Sequence, residues 1–151
     1  MRNNSRKIRI AMALVILMLC SLFLTGCKAS ISDADGKVKD MCVALAKDDF
    51  EKAVGLMHPS VGLTADSLRE SIYEIEKKCG IDFSNGVEFI KTIGMFSQFN
   101  VSASNGAVKT MTLQYKVSIG GSELDLYTVV ISNSEGFGIY NFTIQNSGTV
   151  A

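Results

Sequence analysis

Met111-Thr-Leu-Gln-Tyr-Lys-Val-Ser-Ile119, Gly120-Gly121, Ser122-Glu-Leu-Asp-Leu-Tyr-Thr-Val-Val130 is the stretch that decides the fold. Apolar and polar residues alternate on both sides of a Gly-Gly pair, which is the pattern of a half-buried β-hairpin. A two-residue turn at Gly120-Gly121 needs positive φ at its centre and pairs Ile119 with Ser122. Val117 then faces Leu124, Tyr115 faces Leu126, Leu113 faces Thr128 and Met111 faces Val130. One face is thus almost wholly apolar, and Lys116 meets Asp125 on the other. A slip of one residue mixes the two faces, so the pattern fixes the register.

Further strands flank this hairpin. Phe137 to Gln145 follows Ser134-Glu135-Gly136, which suits a three-residue loop. That loop sets Tyr140 opposite Val130, Phe142 opposite Thr128 and Ile144 opposite Leu126, extending the apolar face. Upstream, Gly94 to Ser104 reads as a strand. The Asn105-Gly106 turn leaves its register open: a two-residue loop turns Phe99 and Val101 away from the apolar face, and a three-residue loop turns them toward it. Val87 to Ile93 mixes helical and strand spacing and leans to an extended segment.

Before the strands the period changes. From Asp33 to Met57, apolar residues at Val38, Met41, Cys42, Leu45, Phe50, Ala53, Val54 and Met57 draw one helical stripe. Lys47-Asp48-Asp49 interrupts the composition but not the phase; Asp48 is placed to cap a second short helix, so the stretch reads as two helices with a tight joint or one kinked helix. His58-Pro59 ends the unit, because the residue before proline is driven out of the helical region. Thr64 to Cys79 is the next helix, with Thr64 as N-cap, Lys77-Lys78 late and Gly80 at the left-handed C-cap position. Leu68, Ile72, Ile75 and Cys79 form its apolar stripe. Helices first and a meander after predict a two-layer α+β domain, with N-terminal helices packed on an antiparallel four-stranded meander.

The first 26 residues have a different character. Arg2, Arg6, Lys7 and Arg9 precede an uncharged apolar run from Ile10 to Leu24, the layout of a secretory signal. At fifteen residues the run is short for a bilayer-spanning helix, which needs about 20. Four of the fifteen basic residues lie in this leader and no acid occurs before Asp33, so the part beyond Gly26 holds eleven basic against fifteen acidic side chains, net −4. A mildly acidic domain lacks the basic footprint that nucleic acid demands.

The leader closes on Leu24-Thr25-Gly26-Cys27, which resembles the lipobox of bacterial lipoproteins. The resemblance implies a diacylglycerol on the Cys27 thiol and cleavage just before it. The chain then divides into a signal peptide at 1–26, lipidated cysteine and tether at 27–32, one domain at 33–146 and a tail at 147–151. Its implied location is the extracytoplasmic face of a bacterial cell membrane, with the bilayer as partner through Cys27. Lys28 follows the lipid cysteine where an inner-membrane retention signal would place an aspartate. After export two cysteines remain, Cys42 and Cys79, both on helical stripes. An even pair outside the cytoplasm allows a disulfide, and the stripe positions favour two buried free thiols.

The order of elements also resembles small bacterial lipoproteins of the cystatin-like, nuclear-transport-factor-2-like superfamily. The residues that carry the likeness are Leu45-Ala-Lys-Asp-Asp-Phe-Glu-Lys-Ala53, His58-Pro59 and the closing hairpin Val129 to Ile144. It implies a cone, a curved sheet wrapped on helices, in a superfamily that includes both enzymes and non-catalytic modules, so fold alone does not give function.

Candidate sites are few. His58 is the only histidine, and as a general base it needs a partner carboxylate and a cavity. Asp48-Asp49 is too small a set for a cation cage. Asp82 and Glu88, near the open end of the implied cone, are acid/base candidates; a solvated rim is the favoured reading, because most carboxylates are exposed. Tyr115 and Tyr140 share the predicted core face, where tyrosines line a ligand pocket or pack with satisfied hydroxyls. Val129, Ile131 and Ile139 cluster on the opposite face as a candidate interface for a second copy or an envelope protein. No P-loop, nucleophile motif or metal-ligand cluster occurs, and no cofactor or metal is implied. The expected function is a non-enzymatic binding or interaction module tethered to the membrane. The alternative is a small cone-fold isomerase or hydrolase with a pocket between sheet and helices.

Overall fold

The computed structural model describes residues 29–102 and 106–148. The leader and Cys27 lie outside the described residues, as do residues 103–105 of the first hairpin loop and the end of the tail. Three helices, α1 (Ile31–Leu45), α2 (Phe50–Leu56) and α3 (Ala65–Cys79), precede four strands. These are β1 (Val87–Ser102), β2 (Gly106–Ile119), β3 (Ser122–Ser132) and β4 (Phe137–Asn146), paired antiparallel in the order β1-β2-β3-β4. The helices pack on one face of this open sheet.

Helix α1 begins two residues earlier than the expected Asp33. Ser30 is the N-cap: its side chain accepts from the Asp33 N–H, and the Asp33 carboxylate accepts from the Ser30 N–H at 2.7 Å. Asp33 is therefore the third helical residue of a capping box. Ala34, Val38, Met41, Cys42 and Leu45 recur at helical spacing and are all buried. At the joint Asp48 does not cap. It takes a left-handed backbone with φ 52°, and Asp49 caps α2 by accepting from the Lys52 N–H at 3.1 Å. Helix α3 has the expected ends, Thr64 as N-cap and Gly80 at φ 66°.

The hairpin β2–β3 has the register read from the sequence, from Ile119 with Ser122 to Met111 with Val130. Met111, Leu113, Tyr115, Val117, Leu124, Leu126 and Val130 are all buried beneath the helices. On the outer face Lys116 and Asp125 form an ion pair at 3.1 Å. Val87 to Ile93 is strand, continuous with the rest of β1. Its mixed spacing has a physical cause: the pairing with β2 shifts between Phe89 and Lys91 and again between Thr92 and Gly94. Ile90 and Ile93 are the extra residues of two bulges, which interrupt the alternation. Ser102 pairs with Gly106, so three residues separate the strands and Phe99 and Val101 lie on the core side of the sheet.

The β3–β4 pairing departs from expectation in one half. Ile144 opposes Leu126 and Phe142 opposes Thr128 as read, but Val130 opposes Ile139, with Tyr140 as an extra, bulged residue. The loop holds four residues, since Ser132 pairs with Phe137 and the Asn133 carboxamide oxygen accepts from both the Glu135 and Gly136 N–H groups. The shift serves a contact with the helical layer. Met57 bridges in parallel to Ile139, and the His58 N–H donates to the Ile139 carbonyl at 2.8 Å. Gly138 lies against this crossing so closely that a Cβ there would stand 2.5 Å from the His58 nitrogen.

Two expected outcomes follow from these contacts. Gly138→Ala forces the crossing apart and costs about 1–3 kcal/mol, a drop of several degrees in melting temperature. Gly36→Ala, on α1 with nothing near its missing Cβ, is the matched control and raises stability by about 0.5–1 kcal/mol through helix propensity. Thermal unfolding of both variants checks the opposite signs. The second outcome concerns sulfur: Cys42 is buried and Cys79 half-buried, and the two are separate free thiols rather than a disulfide. A denatured, unreduced sample of the mature protein therefore reacts with two further thiol equivalents beyond any at Cys27, and a lower count would show a bridge.

Candidate functional site

A cleft opens where α3 and the end of α2 meet β4. Its volume is about 210 Å³, and Met41, Met57, Leu68, Ile72 and Phe142 make its apolar wall, with Tyr140 and Asn141 on the strand side. The elements that shape it follow from local sequence. Pro59 opens a single 3₁₀ turn through Val61, closed by Gly62 at φ 65°, which carries the chain from α2 to α3. The bulge in β4 presents Tyr140 beside the cleft, half-exposed. Small-molecule pockets usually measure about 300–1,000 Å³. A cleft of this size suits one apolar group, such as an aliphatic or aromatic side chain of a larger partner.

Tyr115 is not part of it. Its ring is buried, edge-on to Phe89 at 5.1 Å, and its hydroxyl donates to the Asp35 carboxylate at 2.7 Å. Burial, together with the hydrogen bond and charge of Asp35, pushes the phenol well above the ordinary tyrosine range. Tyr115 is thus a packed core residue with a satisfied hydroxyl, and only Tyr140 of the two borders the cleft. Sequence reading missed Asp35 as the partner. A buried tyrosine needs an acceptor, and Asp35, three residues before the buried Val38, was the signal available.

His58 is buried and occupied at both ring nitrogens. Nδ1 accepts from the Ser60 N–H at 3.2 Å and lies 2.7 Å from the Ser60 hydroxyl, while Nε2 lies 3.0 Å from the Asn133 carboxamide oxygen. Acceptance at Nδ1 puts the proton on Nε2, which donates to Asn133. The ring is a strut between the α2–α3 connection and the β3–β4 loop, with no carboxylate among these ring contacts. Asp49 is a helix cap, as above. Asp82 caps the 3₁₀ turn Phe83–Asn85, and the hydrogen bonds it accepts from Ser84 hold its carboxyl below the usual range. Glu88 is exposed on β1 opposite Ser118. Burial pushes the Cys42 thiol up to about 12, which makes it an inert core group.

The candidate interface loses one member. Ile139 is fully buried and opposes Val130 inside the core, because the bulge at Tyr140 reverses its facing. Val129 and Ile131 remain on the outer face, opposite Thr112 and Thr110 of β2, both half-buried, with Tyr127 more open beside them.

Compared with protein-family models, with curated proteins and with solved structures, the chain finds no match.

Asp35 gives the fold a pH dependence. Burial pushes its carboxyl up, but hydrogen bonds from Lys39 and Tyr115, with the Lys39 charge, outweigh this and hold it below the ordinary 3.8. An ionised Asp35 therefore adds stability above pH 3.8, an addition lost as the pH falls through the lower folded value. Asp35→Asn is expected to cost about 1–2 kcal/mol near neutrality. Melting temperatures of both proteins across the acid range should converge at the lowest pH; a gap that stays constant to pH 2.5 would contradict the assignment.

Proposed function

We propose that this protein is a lipid-anchored, extracytoplasmic lipoprotein that acts as a binding or protein-interaction module of the cell envelope. The observation that carries the anchor is Leu24-Thr25-Gly26-Cys27 directly after a basic start and an apolar run. Among the described residues no helix is long and apolar enough to cross a membrane. A diacylglycerol on Cys27 supplies attachment of another kind, with two acyl chains where one gives only marginal binding.

The binding role rests on the cleft beside Tyr140. Its wall is apolar, and the one imidazole nearby is engaged by Ser60 and Asn133. Such a site selects by shape and burial. A side chain of an envelope protein, or of a second copy, fits it, and Val129 and Ile131 offer a further apolar surface on the other side of the sheet. The finer architecture we propose is the cone of the cystatin-like, nuclear-transport-factor-2-like superfamily. Three helices on one face of a four-stranded meander, with bulges that bend β1 and β4, support that reading.

The deciding experiment is metabolic labelling with palmitate. The wild type incorporates label and runs as a processed form. Cys27→Ala incorporates none and accumulates as an uncleaved precursor. Equal labelling of the two proteins would sink the anchor.

A further inference from the structure

The hairpin of β1 and β2 extends past the helices. On the core side of β1, Val87, Phe89 and Met95 pack against the core, yet Phe99 and Val101, on that same side, are 57% and 71% exposed. Their partners on β2 are Lys109 and Ala107. From Thr92 to Val108 the sequence carries no charged residue, in a chain that is 20% charged. On this projecting end Phe99 and Val101 bring no charge of their own into a low-dielectric phase, and the ammonium opposite Phe99, Lys109, is engaged by a backbone carbonyl.

The start of the described chain is fastened to this projection. Lys109 Nζ donates to the Ala29 carbonyl at 2.8 Å, so the chain enters α1 beside the Phe99–Lys109 pair. Cys27 precedes Ala29 by two residues, a reach of at most about 7 Å in extended chain. A lipid on Cys27 therefore delivers Phe99 and Val101 to the headgroup region along with it.

We propose that the core-side face of this hairpin end, Phe99 and Val101, is a second membrane contact, lying on the phospholipid surface beside lipidated Cys27. The inference rests on the anchor proposed above. The contact brings the end of β1 and β2 to the bilayer, while the cleft lies beside β4 at the other edge of the sheet. Tethering raises the local concentration of the hairpin at the surface, so a contact too weak to hold the domain unaided still persists.

The protein contains no tryptophan, so a single introduced one is a clean reporter. Phe99→Trp and, as the control, Tyr73→Trp are made in the full chain. Tyr73 is on α3, which packs against β4 at the opposite edge of the sheet, and is 51% exposed. The lipidated proteins are reconstituted into phosphatidylcholine–phosphatidylglycerol vesicles, with or without acyl-chain-brominated lipid. Groups seated about 5–10 Å into the headgroup boundary meet the bromine, so quenching at position 99 should exceed that at position 73 about twofold or more. Val101→Trp, at the more open position, is the second reporter and should give the same excess. Equal quenching at 99, 101 and 73 in a protein that carries its lipid overturns the membrane contact and leaves the anchor standing. Failure to incorporate fatty acid at Cys27 overturns the anchor and this inference together.

Discussion

The hydrogen bond from the His58 N–H to the Ile139 carbonyl ties the helical layer to the edge of the sheet. It is a backbone-to-backbone crossing between the layers. The bridge of Met57 to Ile139 and the closeness of Gly138 show how little room the crossing leaves. The His58 ring then joins Ser60 on the incoming connection to Asn133 in the β3–β4 loop. That geometry sets the path from α2 to α3, and with it the wall of the cleft. It also requires the bulge at Tyr140, which turns Ile139 inward and leaves the tyrosine beside the opening.

A second tie lies deeper. The hydroxyl of Tyr115 and the carboxylate of Asp35 connect the centre of β2 to the first turns of α1. Desolvating a carboxylate is costly, and Lys39 offsets that cost with an ion pair at 2.8 Å. The pair, with the Lys109 bond to the Ala29 carbonyl, orients α1 on a sheet whose remaining contacts with that helix are mostly apolar. Two polar struts, at His58 and at Tyr115, thus hold the helices in one arrangement over an apolar face that by itself tolerates several.

These ties decide what chemistry remains. The histidine is a strut, the buried Cys42 thiol is held protonated by its surroundings, and Asp49 and Asp82 serve as caps. What the described surface presents instead is apolar shape: the cleft beside Tyr140, the strip at Val129 and Ile131, and the projecting end of the first hairpin. Surfaces of this kind select by burial, which supports the tethered binding module proposed above.

The sequence by itself determined the α+β order, the β2–β3 register and the ends of α3. Each rests on a local rule: alternation about Gly120-Gly121, a threonine cap at Thr64, a glycine stop at Gly80. The capping box moved the start of α1 to Ile31 because Ser30 and Asp33 satisfy each other, a pairing also local and legible in hindsight. Only the tertiary structure decided the bulges in β1 and β4, the choice of Asp49 over Asp48 as cap, and the facing of Ile139 and Tyr140. The reason is that a bulge is set by what packs across it. Nothing within Phe137 to Gln145 announces that the Met57–His58 backbone will lie against Gly138, and that one long-range contact shifts every pairing between Tyr140 and the loop. The same holds for Phe99 and Val101, whose facing the Asn105-Gly106 turn left open; the three-residue spacing puts them on the core side, yet they are exposed because the helices end before the hairpin does.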